Sequence, residues 1–181
     1  RPLLFAIVQG SVYEDLREQS AKELTALPFD GFAIGGVAVG EPRETLTDIL
    51  AWTIPHLPED KPRYLMGLGR PEEIVRAVEA GIDMFDCVIP TREGRHGRLF
   101  VWKADTPDVR GEFYETINIQ NEKFREDFSP VDARCDCPLC TKYTKAYLRH
   151  LFATEEPLAG RLASLHNLRF YLRMMEKLRE K

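Results

Sequence analysis

The chain has 181 residues, of which 44% are hydrophobic and 30% are charged, and its formal net charge is −4. This length supports one hydrophobic core of ordinary size, so we predict one domain with at most one small appendage. No apolar run approaches the ~20 residues of a membrane span, which argues against an integral membrane protein. Residues 134–181 carry ten Lys or Arg and five Asp or Glu. Such a basic end suggests a polyanionic partner, with solvated helix faces as the alternative.

The first 97 residues alternate predicted strands and helices. Ser11 and Glu14 have the spacing of a helix capping box, and Pro42 and Pro71 suit the first turns of two further helices. Four βα units in tandem predict an α/β fold with a parallel sheet, equivalent to half of an eight-stranded barrel. A free-standing doubly wound sheet is the alternative, disfavoured by the absence of a G-x-G-x-x-G motif. The predicted strands are Leu3–Val8, Phe29–Ile34, Arg63–Met66 and Ile82–Ile89.

The pattern changes after the fourth predicted strand. Arg98–Lys103 and Glu112–Ile119 predict antiparallel strands, joined by a polar turn that contains Gly111. Lys142–Phe152 predicts a helix, and Pro157–Lys181 predicts one long helix or two short ones. These elements indicate a different architecture from the βα units before them.

Three closely spaced cysteines predict a metal site. Cys135, Cys137 and Cys140 follow a C-x-C-x-x-C pattern, which is typical of zinc in a reducing, cytoplasmic setting; reduced structural cysteines are the alternative. His150 and His166 are the nearby choices for a fourth ligand. We favour His166 because it lies in the long final helix, which needs a contact that holds it against the rest of the chain. Four protein ligands close the coordination shell, so we predict one structural Zn²⁺ per chain and no catalysis by the metal.

The chain accordingly divides into three predicted segments. Residues 1–97 form the half barrel, residues 98–166 form the antiparallel strands and the zinc subdomain, and residues 167–181 form a C-terminal helix. The chain begins at Arg1 without a signal peptide and opens at once on an apolar strand, so we expect it to derive from a longer protein.

The ends of the predicted strands carry residues suited to holding a flat heterocycle. In parallel α/β folds the chemistry lies at the C-terminal ends of the strands. There, the amide of Gln9 donates and accepts at a base edge, Gly36 admits close main-chain approach, and Met66 is a soft stacking surface. Asp86 is a carboxylate in an apolar strand. This position implies either a catalytic role or a hydrogen bond between its side chain and the main chain of the next loop. Asp83 competes with it but falls at the start of the strand.

The loop after this strand is rich in arginine. Arg92 and Arg95 lie three residues apart and close in sequence to Asp86. Guanidinium groups there would place phosphates beside the reacting centre. The loop therefore indicates a substrate that carries phosphate groups.

Several of these segments together resemble one family closely. The resemblance runs from about Leu4 to the C-terminus, and the order of the motifs is specific. The matching segments are Val8–Ser11, Gly35–Glu41, Tyr64–Gly67, Asp83–Arg92, Cys135–Cys140 and His166–Asn167. In these segments the chain is similar to bacterial tRNA-guanine transglycosylases, whose fold is a TIM (β/α)8 barrel with an inserted zinc-binding subdomain.

The resemblance implies an enzyme, a glycosyltransferase of queuosine biosynthesis. It would exchange guanine at wobble position 34 of tRNAs with GUN anticodons for preQ1, with Asp86 attacking C1′ of the ribose to form a covalent intermediate. Gln9 and the main chain of Gly36 would bind the base, and Met66 would pack on its face. The resemblance also implies a cytoplasmic homodimer without membrane contact and a zinc site formed by Cys135, Cys137, Cys140 and His166.

Two segments would contact tRNA in such an enzyme, the second of them near base 34. The implied RNA-binding residues are Gly67, Leu68, Gly69, Arg70, Pro71, Glu72, Glu73, Thr91, Arg92, Glu93, Gly94 and Arg95.

One part of the family's machinery has no match here. Its general acid/base aspartate and a second base-reading aspartate lie in the first half of the barrel, so we expect the isolated chain to lack exchange activity. A non-catalytic tRNA-binding subunit or module is the alternative, motivated by the basic patches. A zinc scaffold without an RNA role leaves the strand-end residues unexplained.

Overall fold

The computed structural model describes residues 1–37, 40, 43–104, 109 and 111–180. The chain forms two compact units, Arg1–Cys87 and Val88–Lys181. The three segments predicted from the sequence divide the chain at 97/98 and 166/167 instead, and that division stays a prediction. No described helix is both long and apolar enough to cross a membrane.

The first unit is an α/β unit, as predicted. Its four strands are all parallel and neighbour one another in chain order, with Phe5 opposite Gly31 and Tyr64 opposite Met84. The described helices follow the strands in alternation, and short 3₁₀ turns flank the second helix at Arg43–Thr45 and Ile54–His56. The elements are β1 (Phe5–Val8), α1 (Glu14–Thr25), β2 (Gly31–Ile34), α2 (Leu46–Thr53), β3 (Arg63–Leu65), α3 (Pro71–Glu79) and β4 (Met84–Phe85).

The core of this unit lies between the sheet and its helices. Val8, Phe32, Ile34 and Leu65 are fully buried in the strands, and Ile49 packs in the same cluster from α2. At ~25 cal/mol per Å², burial of such side chains is the main term that stabilises the unit. The strand ends are thereby held in fixed positions.

Two local predictions for this unit are wrong. Ser11 does not cap α1: it has a φ of 50°, and Tyr13 is the N-cap residue. The predicted strand Ile82–Ile89 is only the two residues of β4, because Ile89 already begins a helix with a proline in its first turn. The expectation for Pro42 lies outside the described residues.

The second unit combines a two-stranded antiparallel sheet with helices. Arg98 pairs with Asn118 and Trp102 with Tyr114 across this sheet. Trp102 and Phe170 approach to 4.5 Å between ring centroids in an aromatic cluster. The elements are α4 (Ile89–Arg95), β5 (Arg98–Trp102), β6 (Tyr114–Asn118), a 3₁₀ turn (Glu122–Phe124), α5 (Pro138–Lys142), α6 (Lys145–Ala153) and α7 (Pro157–Arg179).

The antiparallel strand pair is confirmed, and the final segment is one long helix. The helix predicted at Lys142–Phe152 begins later, because the Oγ1 atom of Thr144 accepts a hydrogen bond from the Tyr147 N–H at 3.2 Å and caps α6. Part of the predicted turn before Gly111 lies outside the described residues.

Candidate active site and metal centre

A cavity of about 330 Å³ opens at the C-terminal ends of the parallel strands. Its size suits a small heterocycle. Four residues predicted from separate strands, Gln9, Gly36, Met66 and Asp86, meet in its wall. The described residues that line it are Ile7, Gln9, Gly35, Gly36, Val37, Tyr64, Met66, Gly67 and Asp86.

Asp86 is held from one side. Its Oδ1 atom accepts a hydrogen bond from the Tyr64 hydroxyl at 2.5 Å and another from the Gly67 N–H at 2.9 Å. The Tyr64 bond, with help from the Gly67 N–H, keeps the pKa of Asp86 below its usual range. The same bond raises the pKa of Tyr64 to about 12. Asp86 is therefore an ionised carboxylate at neutral pH, exposed at the cavity.

Gln9 and Gly36 form the opposite wall of the cavity. Gly36 has a φ of 63°, a region that glycine enters without strain. A Cβ atom at Gly36 would lie 2.6 Å from Oε1 of Gln9, and one at Gly35 would lie 2.7 Å from its Nε2. The side chain of Gln9 thus lies flat against a glycine backbone that has no room for side chains. The Ala38, Val39 and Glu41 positions of this motif lie outside the described residues.

The first predicted RNA segment, Gly67–Glu73, is partly buried. Leu68, Pro71 and Glu73 are buried, whereas Gly67 and Arg70 are exposed. Oε2 of Glu73 accepts a hydrogen bond from the Arg70 N–H at 2.9 Å, which caps α3. Glu73 therefore stabilises the helix start, and the exposed members are those open to a ligand.

The second predicted RNA segment, Thr91–Arg95, belongs to α4 in the second unit. A Cβ atom at Gly94 would lie 2.8 Å from the main-chain nitrogen of Ser164, so α4 packs directly against the backbone of α7. Arg92 is 3.8 Å from Glu93, and Arg95 is exposed with no ion pair to any described residue. Arg92 and Arg95 therefore project from a helix, α4, that is packed firmly against α7.

Asn167 connects α4 to the rest of the second unit. Its fully buried side chain donates to the carbonyl oxygens of Pro90 and Arg98, both at 2.9 Å, and accepts from the Phe100 N–H at 3.1 Å. One amide therefore joins α7 to the start of α4 and to β5.

The predicted metal ligands meet in the second unit. The donor atoms of Cys135, Cys137, Cys140 and His166 lie within 4.8 Å of one another. Nδ1 of His166 is 3.6 Å from Sγ of Cys137 and 3.3 Å from Sγ of Cys140. In a tetrahedral zinc shell, sulfur and nitrogen ligands lie about 3.6 Å apart, so the donors fit zinc in number, type and spacing. His150, the rejected candidate, is outside this group.

The surroundings of His166 complete the fit. Its Nε2 atom lies 2.8 Å from the carbonyl oxygen of Phe100, so Nε2–H donates there and Nδ1 faces the sulfurs. Burial opposes a charge on His166, but hydrogen bonds and attraction from Cys135 and Cys137 outweigh it and raise its pKa to about 9. Hydrogen bonding to Cys135 and Cys140 holds the pKa of Cys137 far below its usual range. Three sulfurs and one ring nitrogen that face a common point are the donor set of a structural zinc site.

Several cations of the basic C-terminal region are already paired. Arg169 contacts Asp136 at 2.6 Å and Glu176 at 2.8 Å, and Lys145 contacts Asp127 at 3.2 Å. The count of basic residues therefore overstates the charge free to meet a polyanion, and solvated, paired helix faces account for part of it.

Three important residues were missed by sequence reasoning. Tyr64 lies two positions before Met66, so strand alternation places both on one face and was a usable signal. Asn167 follows the metal ligand His166 but was given no role. Arg17 is fully buried and bonds the glycine loop of the cavity; an arginine in an amphipathic helix gives no such signal, because it is usually exposed.

Comparisons with known proteins agree with this geometry. The family profile described as queuine tRNA-ribosyltransferase matches residues 1–181. The chain is 53% identical over 177 residues to queuine tRNA-ribosyltransferases of Vibrio parahaemolyticus and Vibrio atlanticus, and 52% identical to that of Haemophilus ducreyi. Each alignment covers 98% of this chain but 44% of the relative, so the chain spans less than half the length of these curated relatives.

Proposed function

We propose that this chain, which belongs to the queuine tRNA-ribosyltransferase family, supplies the nucleophile and the base-binding wall of a tRNA-guanine transglycosylase. The observation that carries the proposal is the meeting of Asp86, Gln9, Gly36 and Met66 around one cavity at the strand ends. Such an enzyme replaces guanine at the wobble position of GUN-anticodon tRNAs by preQ1.

The sheet is best interpreted as the C-terminal half of a TIM barrel. Its strands neighbour one another in chain order, and right-handed crossovers then place every helix on the same face. A doubly wound sheet requires a reversal of strand order, which this sheet lacks. Ile7 is 44% exposed and Met84 is 45% exposed, which agrees with a sheet completed by further strands of the full-length protein.

Asp86 is assigned as the nucleophile. The hydrogen bonds from Tyr64 and Gly67 both end on Oδ1, so we assign Oδ2 as the oxygen that attacks C1′ of the ribose. The C1′–N9 bond breaks as the C1′–O bond forms, and guanine leaves with the electron pair of the broken bond. In the second step N9 of the incoming base attacks C1′, its proton passes to the group that protonated guanine, and Asp86 leaves as a carboxylate. The low pKa of Asp86 favours this departure.

The departing guanine needs a proton. Among the described residues that line the cavity, only Tyr64 and Asp86 titrate, and Tyr64, with its pKa raised to about 12, is a poor acid at neutral pH. We therefore assign the proton donor to the remainder of the full-length protein. The isolated chain is expected to lack exchange activity for this reason.

The base is held by the opposite wall. Gln9 donates and accepts at the base edge beside the main chain of Gly36, and Met66 packs on the face of the ring. We assign tRNA contacts to the exposed parts of Gly67–Glu73 and Thr91–Arg95. Zinc, when bound, supplies a structural cross-link between the cysteine loop and α7. A cytoplasmic homodimer is the assembly that we propose for the full-length protein.

The function is tested by guanine exchange into tRNA with the full-length protein. Asp86→Ala should lower exchange by more than about a thousandfold and abolish a denaturant-stable RNA–protein adduct. Asp83→Asn is the matched control: Oδ2 of Asp83 accepts from the Arg63 N–H at 2.8 Å, and Asp83 lies outside the cavity lining. Normal turnover in Asp86→Ala would contradict the assignment.

A non-catalytic tRNA-binding subunit is the second candidate. It is favoured by the absence of a suitable proton donor among the cavity-lining residues. Salt-sensitive tRNA binding without any covalent adduct in the full-length wild-type protein would support it over the enzyme.

A further inference from the structure

We infer that Arg17 is a positioning residue for the base-binding wall, an inference that rests on the proposed function. Arg17 lies in α1, outside the cavity lining, and its side chain is 0% exposed. A buried guanidinium is costly unless its N–H groups are bonded. Arg17 donates hydrogen bonds to the main-chain carbonyls of Val8, Ser11, Gly35 and Gly36.

Two of these bonds fix successive peptide groups of the cavity wall. Nη1 of Arg17 donates to the Gly35 carbonyl and Nη2 donates to the Gly36 carbonyl, both at 2.8 Å. The guanidinium is a planar fork, so holding both carbonyls fixes their relative orientation. Gly36 has a φ of 63° and no side chain to anchor it, and Arg17 supplies that anchor from behind.

The orientation of the carbonyls sets the direction of the N–H groups. No cis peptide occurs among the described residues, and in a trans peptide the C=O and N–H groups point in opposite directions. Because the Gly35 and Gly36 carbonyls point toward Arg17, the N–H groups of Gly36 and Val37 point away from it. Both residues line the cavity, where such N–H groups can donate to a base oxygen.

Arg17 also strengthens these donors. A cationic donor on a carbonyl polarises that peptide group and makes its N–H a better donor. The bond from Arg17 to the Gly35 carbonyl therefore acts on the N–H of Gly36. Arg17 touches neither base nor ribose in this arrangement, and its effect is confined to affinity for the base.

The test applies the same substitution to buried Arg17 and to half-buried Arg63. Arg63 donates from Nη2 to the Leu57 carbonyl at 2.8 Å and lies outside the cavity lining, which makes Arg63→Lys the matched control. A lysine ammonium keeps the charge but loses the planar fork. In the full-length protein, Arg17→Lys should raise KM for guanine at least about tenfold and leave KM for tRNA within about twofold. Arg63→Lys should change neither KM.

A second measurement needs no turnover. Amide hydrogen exchange of the segment that contains Gly36 should rise about tenfold or more in Arg17→Lys and stay unchanged in Arg63→Lys. If Arg17→Lys does not fold, Arg17→Gln is measured in the same way. Unchanged guanine KM in a folded variant, or unchanged exchange at Gly36, would overturn the inference. Absence of turnover in the wild type would instead overturn the proposed function, while the exchange measurement would still decide the role of Arg17 in holding the loop.

Discussion

The two units contain two sites built on opposite plans. At the strand ends of the first unit, Asp86 is exposed at an open cavity, and Tyr64 and Gly67 both hold it by Oδ1. In the second unit, Cys137 and His166 are 3% and 1% exposed, and four donors surround one point. The proposed nucleophile is thus left incompletely enclosed, whereas the proposed zinc ligands enclose a common point.

The hydrogen bonds around each site follow the same division. Tyr64 and Gly67 orient Asp86 and keep it ionised without covering it. The carbonyl of Phe100 fixes His166 from behind so that Nδ1 faces inward. In both sites a hydrogen-bond partner orients the functional side chain. Asp86 is oriented toward the open cavity in the first unit, and His166 is oriented toward the protein interior in the second.

The largest effect should follow removal of a metal ligand. Cys137→Ser should abolish zinc binding and destabilise the second unit by on the order of 10 kcal/mol, because the ion links the cysteine loop to α7. Zinc content by elemental analysis and thermal melting by circular dichroism measure this. Cys87→Ser, in the first unit, should keep one zinc per chain. Retention of zinc and of the wild-type Tm by Cys137→Ser would remove the structural role of the site.

Loss of the Asn167 amide should have the next largest effect. Asn167→Ala leaves the buried Phe100 N–H and the carbonyls of Pro90 and Arg98 without this partner, which costs about 3 kcal/mol. Denaturant titration should show that loss with zinc still bound. Asn118→Ala is the control, since Asn118 is exposed and its side-chain Oδ1 accepts from the Gln120 N–H at 3.0 Å. Equal stability of the two variants would contradict the role of Asn167.

A smaller effect is expected at Tyr64. In Tyr64→Phe the pKa of Asp86 should rise toward its ordinary value, because its strongest hydrogen bond is lost. The ionised carboxylate is the reactive form, so activity falls as pH drops through this pKa, and the acid limb of kcat/KM should move to higher pH. The rate at neutral pH should fall about tenfold. Tyr13→Phe, an exposed tyrosine, should leave the profile unchanged, and an unshifted limb in Tyr64→Phe would refute the assignment.

The smallest effect should come from one surface arginine. Arg95→Ala should weaken tRNA binding a few-fold and reduce the slope of log Kd against log salt by about one, as expected for one phosphate contact. Fluorescence anisotropy at several salt concentrations measures both quantities. Lys22→Ala, which removes a cation paired with Glu18 on α1, should change neither. A salt slope unaffected by Arg95→Ala would exclude the contact.

The sequence predicted much of this molecule because several signals are local. The C-x-C-x-x-C spacing identified the three cysteines, and apolar runs ending in Gly35 and Met66 located strand ends whose side chains meet in the cavity. The choice of His166 over His150 came from the long helix and from the family resemblance, and the structure brings His166 to the cysteines.

Other features depend on tertiary contacts and left no local signal. The short β4 was overestimated because an apolar run fits a strand as well as the buried start of α4. Ser11 fits a capping box in sequence, but its left-handed φ of 50° places the helix start two residues later. The roles of Asn167 and Arg17 arise from partners distant in sequence, such as the Pro90 and Gly35 carbonyls.

Arg17 joins two consecutive βα units, since its bonds run from α1 to the ends of both β1 and β2. These two βα units therefore cannot be exchanged independently of each other. A genetic crossover between positions 17 and 35 would inherit the arginine from one parent and the glycine carbonyls from the other. Such hybrid proteins should fold and function only when both parental sequences have an arginine at position 17 and the same loop at positions 35 and 36. Residues 17–36 are therefore expected to be exchanged between related genes together.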